Sequence, residues 1–155
     1  MPRGYAICGP KSGAGLLPWN RVDKRMATAH NYWVGTTRPD GRPHVMPVWG
    51  VWVDQTFFFG TDRGSRKGRN LAANPALVVH LESGDDVVIL EGVAEQVTDR
   101  APLAAVDDAY FAKYRMRLLD HPGDVGIYAL EPGVAFAWQE RDFNRSATRW
   151  LFASD

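Results

Sequence analysis

Residues Thr56–Pro75 read TFFFGTDRGSRKGRNLAANP. Three consecutive phenylalanines, Phe57 to Phe59, favour a strand, and Gly60 and Gly64 mark a turn after it. A helix then begins, with Ser65 in the N-cap role and Arg66 and Lys67 in the first turn. Leu71 and Ala72 supply an apolar face, and Asn74-Pro75 ends the helix because proline disfavours helical geometry in the residue before it. The first turn of a helix leaves backbone N–H groups unpaired and carries the positive end of the peptide dipole, so anions settle there. Arginine and lysine at that point make a phosphate the expected guest, with Arg63 and Arg69 as further cations of the segment. A merely solvated charged face is the competing reading.

Upstream, the period is that of strands. Asn31–Thr37 is rich in aromatic and β-branched residues, and Arg38-Pro-Asp-Gly-Arg42 reads as a tight hairpin with Gly41 at positive φ. The returning strand, Pro43–Asp54, is apolar on both faces, as expected of a strand between two cores, beside a ligand cavity or against a second subunit. Pro43 and Pro47 cannot donate ladder hydrogen bonds, which places this strand along an edge or a break in the pairing. A planar ring can dock on backbone exposed at such a break. Downstream, Ala76–Glu82 and Asp86–Val97 form a strand pair joined by Ser83-Gly84-Asp85. Val125–Leu130 and Val134–Trp138 follow, separated by a turn at Glu131-Pro-Gly133, and Thr148–Phe152 is a last short strand. Strands at this spacing with few helical interruptions favour a closed or partly closed barrel over a parallel α/β sheet.

Two further helices are expected. Asn20 caps the first, with Val22, Met26 and Ala29 on one face. From Asp99, Leu103, Val106, Tyr110, Phe111 and Tyr114 recur at helical steps with Asp107, Asp108, Lys113 and Arg115 outside, a packing helix rather than a chemical one. Residues 1–18, rich in glycine and proline, read as a flexible arm, and residues 19–155 as one domain.

The 155 residues carry 18 basic and 18 acidic side chains, so charge steers the protein towards neither nucleic acid nor an anionic membrane. One cysteine, Cys8, allows no disulfide within the chain, and neither a signal-peptide run nor a spanning run is visible, which points to the cytoplasm. The four histidines lie far apart with no ligand partners at metal spacing. Neither a nucleophile elbow nor a dinucleotide fingerprint occurs. Asn144-Arg-Ser146 matches a glycosylation sequon, a pattern that arises often by chance. Scarcity of catalytic groups fits a protein whose bound cofactor carries the chemistry.

Phe58, Thr61, Ser65, Arg66, Lys67, Asn74 and Pro75, with YWVGTTRPDGRPHVMPVW before them and ALVVHLESGDDVVILEGVAE after, resemble the split β-barrel flavoproteins related to pyridoxamine 5′-phosphate oxidase. The resemblance covers roughly Tyr32 to Gln96. It implies a mainly β fold, a split, FMN-binding-like barrel of about six or seven antiparallel strands flanked by short helices. It also implies an oxidoreductase that moves a hydride between its cofactor and a small unsaturated or aromatic substrate. Cofactor contacts carried over are Thr61, Ser65, Arg66 and Lys67 for the phosphate and the backbone of Met46, Pro47, Val48 and Trp49 for the ring. Family members are homodimers with the cofactor at the interface.

Pyridoxamine 5′-phosphate oxidases have an arginine at the start of the ring-side segment where this chain has Met46, and its C-terminal segment lacks their Arg-x-His signature. The run Gly41–Trp49 is more similar to the branch that uses the deazaflavin coenzyme F-420. Lys24, Arg25, Arg38 and Arg42 are available to the acidic tail of that coenzyme, whereas FMN, the alternative, gives them no ligand role. Trp52 and Trp150 are candidates for the substrate lid, since six tryptophans in this length suit a flat aromatic ligand as well as a core. A flavin or haem carrier without turnover, and a ligand-free dimeric interaction module, are the other classes.

Overall fold

A computed structural model describes residues 16–153. Of the expected flexible arm, the first 15 positions, Cys8 among them, lie outside the described residues. Leu17 at its end is docked: its N–H donates to the Thr148 hydroxyl at 2.9 Å, and its side chain packs on the main core.

Eight strands form one antiparallel sheet. They are β1 (Tyr32–Thr37), β2 (Pro43–Val48), β3 (Val51–Val53), β4 (Thr56–Asp62), β5 (Ala76–His80), β6 (Asp86–Gln96), β7 (Val125–Gln139) and β8 (Thr148–Leu151). Their order is β2-β1-β5-β6-β7-β4-β3, with β8 also on β7. Strands β2 and β3 occupy opposite ends of that order, yet only Trp49 and Gly50 separate them in sequence. Three peptide units reach at most about 11 Å. The sheet therefore has to curl until its two edges meet, and a covalent strap rather than a hydrogen-bonded ladder closes it. This is the split barrel.

The strap corrects the expectation of one strand over Pro43–Asp54. Its apolar pattern continues unbroken through Trp49-Gly50, so periodicity carries no sign of the break. Nor is β2 buried on both faces: it is an edge strand, as its prolines require, and Val45, Met46 and Pro47 are exposed. Glu131-Pro-Gly133 is likewise no turn. It lies inside the continuous β7, opposite a register shift at Glu91/Gly92 of β6, where a bulge absorbs the proline's missing donor. Gly60 sits within β4, paired with Ile127, and the turn begins only after Asp62.

Inside the barrel, Tyr32, Val34, Phe57, Phe59, Val79, Leu90 and Leu130 are fully buried. Helix α1 (Trp19–Thr28) adds Val22 and Met26, as its spacing predicts. Its start differs: Pro18 precedes Trp19 without a side-chain cap, so Asn20 is not the N-cap. Helix α2 (Arg66–Ala73) packs Leu71 on the same core. Helix α3 (Arg100–Tyr114) covers a second cluster in which Val106 and Tyr114 meet Val51, Leu118 and Ile127. Strand β4 serves both, with Phe57 and Phe59 turned into the barrel and Phe58 towards α3. A 3-10 turn at Glu140–Asp142 and the short helix α4 (Phe143–Ser146) precede β8.

Candidate cofactor site at the barrel split

The turn from β4 into α2 is locally over-determined. Asp62 Oδ1 accepts the Gly64 N–H at 2.7 Å, and its carbonyl accepts the Ser65 N–H at 3.0 Å. Ser65 is the N-cap, its Oγ accepting the Gly68 N–H at 3.0 Å. A Cβ on Gly68 would stand 2.4 Å from the Asp62 carbonyl oxygen and 2.7 Å from that of Arg63, so the first turn of α2 is pressed against the end of β4. The buried Thr61 hydroxyl lies 3.1 Å from Ser65 Oγ. One hydroxyl proton is spent on that contact and the other remains to donate outward. Arg63 is diverted from any anion: its guanidinium pairs with Asp124. Arg69 is exposed.

Arg66 and Lys67 are both partly buried, and among the described residues neither side chain has a hydrogen bond or an ion pair. Burial holds the Lys67 ammonium below its usual pKa. Two residues of the β1–β2 hairpin, Arg38 and His44, lie within electrostatic reach of them. Burial, followed by the charges of Arg38, Lys67 and Arg66, lowers the His44 pKa. His44 Nδ1 and Arg38 Nε are buried polar atoms without a partner. The neighbouring Asp40 is engaged by Arg42, whose Nε lies 2.9 Å from it. A patch of cations with unsatisfied donors, whose neighbouring carboxylate Asp40 is taken by Arg42, fits an anionic group.

Beside it, a groove of about 380 Å³ runs between β2 and β4. Pro47, Val48 and Trp49 form one wall and Gly60, Thr61 and Asp62 the other, with Tyr110 and His121 at the rim. The structure thus brings Pro47, Val48, Trp49 and Thr61 together across the split, with Ser65, Arg66 and Lys67 following on from Thr61. Met46 does not line this groove; its side chain is 46% exposed on the edge strand.

The remaining expected residues lie elsewhere. Trp52 donates its indole N–H to Asp23 at 2.7 Å, and Trp150 packs edge-on against Trp19 at 5.3 Å. Neither lines the groove of its own chain, because β3 and β8 direct them onto the outer layer of the main core. Arg25 pairs with Asp86 and Arg42 with Asp40, so both are spent within the chain.

Helix α3 was expected to do no more than pack, with Asp107 and Lys113 outside. Asp107 is buried instead and accepts the Leu119 N–H at 3.0 Å and an Arg117 N–H at 3.0 Å. Lys113 Nζ donates to the Tyr32 hydroxyl at 2.7 Å and to the Gly50 carbonyl at 3.0 Å. The Tyr114 hydroxyl accepts the Gly50 N–H at 3.0 Å, and its ring stacks on Trp49 at 4.7 Å with 2° between planes. Lys113 and Tyr114 thereby clamp the strap whose Trp49 walls the groove. Helical spacing alone could not find Lys113, since its partners come from β1 and the strap.

The sequence profile described as pyridoxamine 5′-phosphate oxidase matches residues 21–139. This chain belongs to that family. A pyridoxine/pyridoxamine 5′-phosphate oxidase of Gluconobacter oxydans is 45% identical over 82 residues, a match covering 51% of this chain and 38% of that protein. The chain thus spans well under half the length of that curated relative. Among solved structures, a conserved hypothetical protein of Mycobacterium tuberculosis superposes with TM-score 0.72 at 20% identity over 92% of this chain and 94% of that one. An F-420 reductase superposes with TM-score 0.60 at 25% identity, covering 73% of this chain and 94% of its own. A haem storage protein, HutZ of Vibrio cholerae, shares the fold with TM-score 0.63 at 18% identity over 73% and 88% of the two chains. Members of this fold family thus include proteins named for an oxidase, a deazaflavin reductase and haem storage.

Proposed function

We propose that this chain is an oxidoreductase that binds a flavin-type cofactor in the split, with reduced coenzyme F-420 favoured and FMN the alternative, and passes a hydride to a small unsaturated or aromatic substrate. The observation that carries the reading is the groove between Pro47–Trp49 and Gly60–Asp62, opening beside a cation cluster with unsatisfied donors. The family membership and the F-420 reductase among the similar structures support it.

The bound cofactor supplies the hydride chemistry; the protein binds, orients and desolvates it. Arg66 and Lys67 neutralise the phosphate, aided by the first-turn N–H groups of α2 and the spare Thr61 or Ser65 hydroxyl proton. The edge backbone of β2, whose outer groups no strand among the described residues pairs, receives the ring. Trp49, held flat against Tyr114, and the apolar rim exclude water on the side where substrate approaches. The surplus of cations over what one phosphate needs favours F-420, with its longer acidic tail, over FMN. We also read the protein as a homodimer. The outer face of β2, β1, β5 and β6 carries exposed Val45, which lines a cleft of about 680 Å³, and exposed Val93, and no helix among the described residues lines that cleft.

Fluorescence titration of the full chain with F-420, FMN and haem tests the proposal. Arg66→Ala combined with Lys67→Ala removes two charge-assisted contacts and should weaken cofactor binding by about 2 to 5 kcal/mol. Tight haem binding with no reductase activity would replace redox catalysis by carriage. Unchanged affinity in the double variant would misplace the phosphate.

A further inference from the structure

We infer that the molecule sharing the groove with the cofactor is a planar one that carries neither phosphate nor carboxylate, seated by aromatic contact and by the neutral polar groups of Asn31, Tyr110 and His121. The inference rests on reading the groove as a cofactor cleft, and adds the charge class of the substrate to it.

The charge of the lining makes the first case. Asp62 is its one carboxylate, and no lysine or arginine lines it. Asp62 is fixed there because its Oδ1 accepts the Gly64 N–H at 2.7 Å. The cations of the neighbourhood are turned elsewhere. Arg63, next in the chain, pairs with Asp124. Lys113 spends its ammonium on the Tyr32 hydroxyl and the Gly50 carbonyl, behind the strap. Arg117 bonds Asp107 at 3.0 Å and Asp108 at 2.6 Å, and lies over the Phe111 ring. Arg66 and Lys67 are already assigned to the cofactor phosphate. An anionic substrate entering this groove would give up water, meet a carboxylate and find no counter-ion, a combination that neutral hydrogen bonds do not offset.

The shape and donors of the lining make the second case. The Trp49 ring lies parallel to that of Tyr114 at 4.7 Å, and the Tyr110 ring stands 4.7 Å from Tyr114 at 48°. Trp49 and Tyr110 both line the groove, so aromatic surface continues along one side of it. A flat π-system packs well on such a surface. Opposite, Leu118 presses so closely on β4 that a Cβ on Gly60 would stand 2.6 Å from its Cδ1. Burial raises the Tyr110 pKa, so its hydroxyl remains a neutral donor. The Asn31 amide and the His121 ring add hydrogen-bonding groups without a permanent charge. An aromatic ring bearing a carbonyl or amide satisfies all of these groups at once.

Calorimetric titration of the cofactor-loaded chain with 2-naphthamide and 2-naphthoate tests this, since the two share a ring and nearly a shape but differ in charge. The amide should bind tighter by on the order of tenfold. Asp62→Asn keeps an acceptor for the Gly64 N–H while removing the charge, and should lower that ratio by about twofold to fivefold. Tyr110→Phe should weaken the amide by about threefold to tenfold. Equal or tighter binding of naphthoate, binding of neither probe, or an amide affinity indifferent to Tyr110→Phe would overturn the inference. A ratio unmoved by Asp62→Asn would overturn its electrostatic basis. Should neither FMN nor F-420 bind, the proposed function falls by itself. The same pair is then read on the Arg66→Ala, Lys67→Ala chain, where the carboxylate has no cationic seat at α2. Preference for the amide there sustains the charge class of the groove, and its loss removes that too.

Discussion

The Lys113 ammonium is held by a phenol hydroxyl and a backbone carbonyl, with no carboxylate, and burial pushes its pKa down from 10.5 to about 8. Between about pH 8 and 10.5 the unfolded chain binds a proton that the folded chain has released, so stability rises with pH across that window. Burial has the opposite sign for phenols: it raises Tyr32, Tyr110, Tyr114 and Tyr128, so above pH 10 the folded state holds protons the unfolded state has lost and stability falls. Denaturant melts at pH 8 and pH 9.5 should therefore show the native chain gaining stability and Lys113→Met gaining less; equal gains would detach the effect from Lys113. At the helix start, Ser65→Ala loses an N-cap worth about 1 kcal/mol. Gly68→Ala should cost more, about 1 to 3 kcal/mol, because its Cβ meets backbone rather than a movable side chain. The cap and the charged first turn were legible in sequence, being local chemistry within four residues. Lys113 was not distinguishable from other surface charges, and Arg38 was singled out only alongside Arg25 and Arg42, which pair within the chain, because what sets these residues apart is the absence or identity of partners from distant strands.

Among the elements, the strap decides most. A Cβ on Gly50 would lie 2.4 Å from the Phe57 ring and 2.7 Å from the Phe58 carbonyl oxygen. Gly50→Ala should thus push the strap off β4, lower the melting temperature, and weaken cofactor binding by moving Trp49. A variant that melts with the native chain would show that the strap yields without consequence. The strands themselves were readable from period-two patterning, as was the edge position of β2 from its prolines. The break at Trp49-Gly50 and the bulged passage through Glu131-Pro-Gly133 were misread for one reason. Periodicity reports which face a residue takes, whereas breaks and bulges are set by the strand alongside.

For the molecule as a whole, the sheet face that carries Val45 and Val93 leaves both of these valines exposed. Sedimentation equilibrium should find a dimer that Val45→Glu with Val93→Glu converts to a monomer with native-like melting. A monomeric native chain would remove the dimer and any interface-borne cofactor site. What the sequence determined by itself was where most of the strand-forming runs lie, the capped cationic helix start and the kinship these imply, because each depends on patterns among residues near in the chain. Only the tertiary structure decided that two edges meet at a two-residue strap, that Lys113 turns inward to hold it, and that Arg25, Arg42 and Arg63 are spent on carboxylates. Those outcomes depend on how a curled sheet brings distant strands together, and one-dimensional spacing carries no record of that.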